Sequence, residues 1–215
     1  DAETRRLVDK FAAEFERDVA PVLPGLRKSA IHNDANDYNV IVRAGGGPVP
    51  TQNQSDARPG VGGLIDFGGR VPTFNEADLA VAIAYAILNK PDPLAVAAEI
   101  IKGYHAEYAL TEDELAALFS LARLRLCMSV CIGAHQRRQR PDDDYLTISQ
   151  RPIRDALPKL AQILPRFAEA VLRHACGLPP SPNAGPVIEW LRANARTFAS
   201  VLRDDLRAAP ATLGN

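Results

Sequence analysis

The pattern of apolar and polar positions changes character twice along this chain. From residue 2 to about residue 19, Leu7, Phe11, Phe15 and Val19 recur at every fourth position, which is the apolar stripe of one amphipathic helix. Pro21 and Pro24 end it, because proline lacks the amide hydrogen and clashes with the preceding turn. After Ser29 come the apolar pair Ala30 and Ile31, a polar run from His32 to Asn39, and the β-branched Val40, Ile41 and Val42. This order predicts a strand, a loop and a second strand. Between Arg43 and Gly60 the glycines, prolines, Asn53, Ser55 and Asp56 predict an exposed hairpin connection, after which Val61 to Ile65 returns as a strand ending at Asp66.

Beyond Phe74 the periodicity is helical. Helices are expected over Glu76 to Leu88, Pro93 to Glu107, Thr111 to about Gln139, Ile153 to Ala175, and Pro186 to about Arg207. Asn75 is placed to cap the first, Asp92 precedes Pro93 at the start of the second, and Thr111 with Glu114 forms a capping-box pattern for the third. The stretch from Cys176 to Pro186 holds four prolines and two glycines. It divides a main body, 1–175, from a linker and terminal helix, 176–215, that either packs on the body or leads to a further domain.

Composition narrows this picture only a little. With 47% hydrophobic and 24% charged residues, the 215-residue chain has the make-up of an ordinary folded domain. Its 25 basic and 26 acidic side chains create no field that would draw it to nucleic acid or to an anionic membrane. The three cysteines, Cys127, Cys131 and Cys176, are an odd number without a disulfide framework, so a cytoplasmic location is expected. Cys127 and Cys131, four apart in an apolar helical pattern, read as buried core, and His105 and His135 as structural. The first residue is Asp1 rather than Met, and the expectation is that a segment precedes it.

The chemistry concentrates in His32-Asn33-Asp34-Ala35-Asn36-Asp37-Tyr38-Asn39 and in Ile65-Asp66-Phe67-Gly68. Phosphoryl transfer needs a carboxylate to orient the incoming hydroxyl and oxygen ligands for the magnesium that neutralises the nucleotide phosphates. Asp34 answers the first need, and Asn39 with Asp66 the second. A hairpin explains how residues distant in sequence return to one ion.

These strings resemble the H-G-D-x-x-x-x-N and D-F-G motifs of the aminoglycoside phosphotransferase family, a branch of the protein-kinase-like fold that includes hydroxylysine kinase. The strongest likeness is to the kinase-like domain of bacterial fusions that also carry a class III aminotransferase. It runs from about Ala30 to about Ser149 and includes Asp78-Leu79-Ala80 and Gly103-Tyr104-His105.

The resemblance implies an α+β, predominantly helical C-terminal lobe with a small antiparallel hairpin at the metal site. It implies transfer of the ATP γ-phosphoryl group, with Mg2+, to a hydroxyl of an amino alcohol or hydroxylated amino acid. Asp34 stands at the family's catalytic base, Asn39 and Asp66 at its magnesium ligands, His32 at the histidine that braces the loop, and Asp78 at the aspartate that holds the loop backbone. Asp142, Asp143 and Asp144 with Tyr145 are candidates for recognising the acceptor's ammonium group; a plain acidic turn is the alternative reading.

Two positions depart from the pattern: Asn33 stands for a glycine, and Gly69 for an acidic residue. The family's small N-terminal lobe, with its glycine-rich cover and lysine, has no counterpart after Asp1. These residues alone are therefore expected to be inactive, and the full-length protein to be continuous with further domains. Two other readings are a non-catalytic kinase-like module that binds a ligand or docks other domains, and a plain helical interaction domain.

Overall fold

A computed structural model describes residues 1–43, 60–140, 144–181 and 183–198. Its elements are α1 (Ala2–Asp18), β1 (Lys28–Ile31), β2 (Val40–Arg43), β3 (Gly60–Leu64), β4 (Val71–Phe74), α2 (Asn75–Ala86), α3 (Pro93–Glu107), α4 (Glu112–Gln139), α5 (Asp144–Leu160), α6 (Pro165–Ala175), α7 (Ala184–Ala193) and α8 (Ala195–Phe198). The fold is mostly helical with two small antiparallel sheets, one pairing β1 with β4 and the other β2 with β3.

The core is built around α4. Its Leu115, Leu118, Ala122 and Leu126 are buried, and α1, α2, α5 and α6 all pack against it. Burying each of those leucines contributes roughly 1.5–3 kcal/mol before entropy is counted. In length and hydropathy α4 would pass for a membrane span, but 56% of its apolar window is buried inside the chain itself. The apolar stripe of α1 divides between two clusters. Leu7 and Phe11 enter the main core, while Phe15 and Val19 pack with Leu26 and Ala117 in a smaller one.

Side-chain caps open three of the helices, α1, α3 and α4. Asp1 accepts the Thr4 amide hydrogen at 2.7 Å, Asp92 that of Ala95 at 3.0 Å, and Thr111 and Glu114 complete the capping box of α4. Asn75 does not cap α2 as expected. It is the first helical residue, and its side chain accepts from Ser29 Oγ at 2.6 Å and donates to Tyr108 Oη at 3.0 Å, tying β1 to the end of α3.

The single helix expected over Ile153 to Ala175 is two, α5 and α6. Leu164 is extended because Pro165 disfavours a helical residue before it, and Pro165 then opens α6 at the position proline tolerates best. The terminal helix likewise breaks at Asn194, between α7 and α8. Cys127 is buried but Cys131 is exposed, so of the two only Cys127 belongs to the core as expected. β4 was not anticipated. Its Pro72 pairs with Ala30 in a two-stranded sheet, where every strand is an edge and a missing amide hydrogen costs little.

Candidate active site

The site assembles where the two sheets meet the start of α2. β1 runs into the loop of residues 32–39, and β2 follows it. β3 then returns antiparallel to β2, with Val40 opposite Leu64, and the Ile65 amide donates to the Asn39 carbonyl at 3.0 Å. That pairing puts the backbones of Asn39 and Ile65 side by side, and Asp66 is the next residue along.

Asp78, in the first turn of α2, takes the loop's backbone donors on its two oxygens. His32 donates to Oδ2 at 3.2 Å and Asn33 to Oδ1 at 2.9 Å. A carboxylate at a helix N-terminus is favoured by the helix dipole, and its bonds to amide hydrogens are charge-assisted. The His32 ring is buried and bridges the two halves of the site. Its Nδ1 accepts the Asp34 amide hydrogen at 3.3 Å, which leaves Nε2 to donate to the Ile65 carbonyl at 2.8 Å. These partners fix a neutral tautomer, and the ring also packs edge-on against Phe67 at 5.0 Å.

Two residues of the site adopt left-handed backbone, Asn33 at φ 67° and Asp66 at φ 61°. Asn33, which stands where the motif that it resembles has glycine, thus occupies a backbone region where glycine is the default, and asparagine is among the few residues that enter it at modest cost.

The Asn39 side chain is buried and turned inward by its nitrogen, which donates to the Asp34 carbonyl at 2.8 Å and to Asp34 Oδ2 at 3.1 Å. No donor among the described residues reaches the Asn39 carbonyl oxygen Oδ1. The exposed Asp66 carboxylate likewise has no side-chain hydrogen bond or ion pair among them. These oxygens are hard ligands of the kind magnesium takes, a few from protein with water and phosphate completing the shell. Among the described residues no group of three His, Cys, Asp or Glu side chains forms a closed metal cage.

One participant was not anticipated. Arg125 of α4 donates to Asp34 Oδ1 at 2.9 Å, and its guanidinium lies 5.5 Å from the centre of the Tyr85 ring. A signal was present in the sequence. Arg123 and Arg125 interrupt an otherwise apolar run, and buried arginines need partners. Arg123 finds Glu14 at 2.9 Å and lies between Phe11 and Phe119, whereas Arg125, two residues on, faces the loop.

Beside the loop is a cavity of about 880 Å³, walled by Asp37, Tyr38, Tyr85, Lys90, Arg125, Gln136 and Gln150 among others. Gly133 leaves room for the Gln150 side chain of α5 in this wall, since a Cβ there would stand 2.6 Å from Gln150 Cδ. Of the acceptor candidates, Asp142 and Asp143 lie outside the described residues. Asp144 and Tyr145 open α5, but their side chains also lie outside them.

The chain is 27% identical to the hydroxylysine kinase of Danio rerio over 148 residues, 27% to that of Xenopus laevis over 152, and 26% to that of Bos taurus over 149. The alignments cover 68%, 70% and 68% of this chain and 39%, 40% and 38% of those proteins respectively, so the chain spans about two-fifths of the length of the curated relatives it matches. No protein-family model matches it, and no solved structure matches it. The likeness rests on several kinases that share the name hydroxylysine kinase.

Proposed function

We propose that this chain carries the catalytic portion of an ATP- and magnesium-dependent small-molecule kinase acting on a hydroxyl of a hydroxylated amino acid or amino alcohol. The observation that supports this most is the mutual locking of Asp34 and Asn39 on a loop held by Asp78 and His32, beside the returning strand that leads to Asp66. The similarity to hydroxylysine kinases points to the same chemistry and to an acceptor of that kind. On this reading Asp34 orients the acceptor hydroxyl and takes its proton. Asn39 Oδ1 and Asp66 would hold the ion, whose charge would offset that of the nucleotide phosphates. The cavity walled by Asp37, Tyr38 and Arg125 receives the acceptor.

Residues 1–175 form the catalytic lobe in this proposal, and 176–215 a linker and terminal helix. In α7 no residue is buried, and Val187, Ile188 and Trp190 are exposed, which favours a role in joining further domains of a longer cytoplasmic protein such as an aminotransferase fusion. The 215 residues alone are then inactive. Turnover of ATP should be measured on the full reading frame with Mg2+ and a panel of hydroxylated amino acids and amino alcohols. Asp34→Asn should abolish transfer while leaving the melting temperature nearly unchanged; wild-type turnover in that variant would sink the assignment. Calorimetry that finds no magnesium-dependent ATP binding would favour the non-catalytic module instead.

A further inference from the structure

Asp34 is gripped from two sides, and only one grip comes from its own loop. Asn39 holds Oδ2, while Oδ1 is held by Arg125 from the middle of the core helix α4. Asp34 is 37% exposed and Arg125 23%, so the pair stands at the boundary between core and solvent, where an ion pair is neither fully screened nor fully desolvated. Arg125 is itself well fixed. Its guanidinium stacks over Tyr85, whose hydroxyl is 2.8 Å from Ser129 Oγ one turn along α4, and its Nε is buried with no hydrogen-bond partner among the described residues.

The same guanidinium walls the 880 Å³ cavity, together with Asp37 and Tyr38 of the loop. Arg125 therefore touches both the carboxylate and the space into which an acceptor would come. A carboxylate oxygen has two lone-pair directions. With Arg125 on one lone pair of Oδ1 and Asn39 on Oδ2, the carboxylate cannot rotate, and the second lone pair of Oδ1 is left for an incoming hydroxyl.

We infer that Arg125 is a positioning residue for the transfer, fixing the Asp34 carboxylate so that Oδ1 meets the acceptor hydroxyl in the cavity. This rests on the function proposed above. It separates Arg125 from Arg123, its neighbour in the same apolar run, which pairs with Glu14 on the opposite side of α4 and serves only the core.

The test is steady-state kinetics of the full reading frame, varying ATP and acceptor separately, for Arg125→Ala, Arg125→Gln and Arg125→Lys. Arg125→Ala and Arg125→Gln should lower kcat by roughly 100-fold, the scale of misplacing a reacting group by about an ångström. KM for ATP should move by less than about twofold, because Arg125 reaches neither Asn39 nor Asp66. Lysine restores the charge without the planar fork, so Arg125→Lys should recover part of the loss. Arg125→Gln and Arg125→Lys keep a stem over Tyr85 and carry the test if the alanine variant does not fold. A kcat for Arg125→Gln within about twofold of wild type would overturn the inference and leave the proposed function standing. A fall in kcat matched by a rise in KM for ATP would also overturn it, by assigning Arg125 to the nucleotide. Absence of wild-type turnover on every acceptor would overturn both.

Discussion

Two carboxylate clusters lie at opposite ends of the β1–α2 junction, and they are built to opposite plans. In the loop cluster, Asp34 and Asp66 keep oxygens open to solvent, and the donors that hold Asp34 leave a face free. In the other, Glu114 is wholly buried at the start of α4 and spends its oxygens inside the protein. It receives Arg27 Nε at 2.6 Å and the Thr111 amide hydrogen at 2.7 Å, while Arg27 also donates to the Ala109 carbonyl at 2.7 Å and lies 4.1 Å over the Tyr108 ring. Burial works against ionisation of Glu114, but Arg27, then Glu76 and Thr111, outweigh it and hold the carboxyl down to about 2. Glu76, buried beside it, is pushed the other way, up to about 7, first by burial and then by Glu114. The contrast separates a group whose oxygens are spent on the fold from groups that keep oxygens exposed, as the proposed function requires. A buried carboxylate can be charged only if its partners consume every lone pair, and then it has none to offer a substrate.

The largest effect should come from breaking the closed cluster. Glu114→Ala strips Arg27 of its partner and removes half of the α4 capping box, and a loss of about 3–5 kcal/mol is expected in denaturant unfolding. A loss below about 1 kcal/mol would show that Glu114 is no more structural than an exposed pair.

Next is Asp78→Asn, which keeps the shape but has only one oxygen for two backbone donors. Here stability should fall by about 1–3 kcal/mol, and turnover should fall by more than that loss explains, since the loop that carries Asp34 is no longer fixed. If activity only tracks the folded fraction, the loop does not depend on Asp78 for its geometry.

The smallest effect is a slope rather than a loss. Glu76 has a folded pKa above its unfolded value of 4.5, so its neutral form favours the folded state. That contribution is fully present below about 4.5 and is lost as pH rises through about 7. Wild-type stability should therefore decline from pH 5 to 8 by this term, and Glu76→Gln should flatten the decline; an unchanged profile would show that Glu76 is not the titrating group. Glu114 runs the opposite way, contributing above about 4.5 and losing that contribution only as pH falls through about 2, so it does not mask the slope.

Much of this architecture is legible in local pattern. The four-residue spacing of Leu7, Phe11, Phe15 and Val19 marks α1, and Asp92-Pro93 and Thr111 with Glu114 mark two helix starts, because stripes and caps act between residues within one or two turns. The loop motif named Asp34 and Asn39 for the same reason: their contact spans five residues. Local rules failed where a residue had a distant partner. Asn75 has the chemistry of a cap but bonds Ser29 and Tyr108, 46 and 33 residues away. Pro72 reads against a strand until Ala30 is set opposite it.

What the sequence by itself determined, then, is most of the order of elements, the starts of α1, α3 and α4, and the contact of Asp34 with Asn39 in their loop, since each is decided by side chains close along the chain. Only the tertiary structure decided that Arg125, 91 residues after Asp34, holds its carboxylate, and that Glu114 answers Arg27 rather than a ligand. The physical reason is that a buried charge takes whatever opposite charge the packing of helices brings to it, and that choice is made by α4 crossing the loop and not by spacing along the chain.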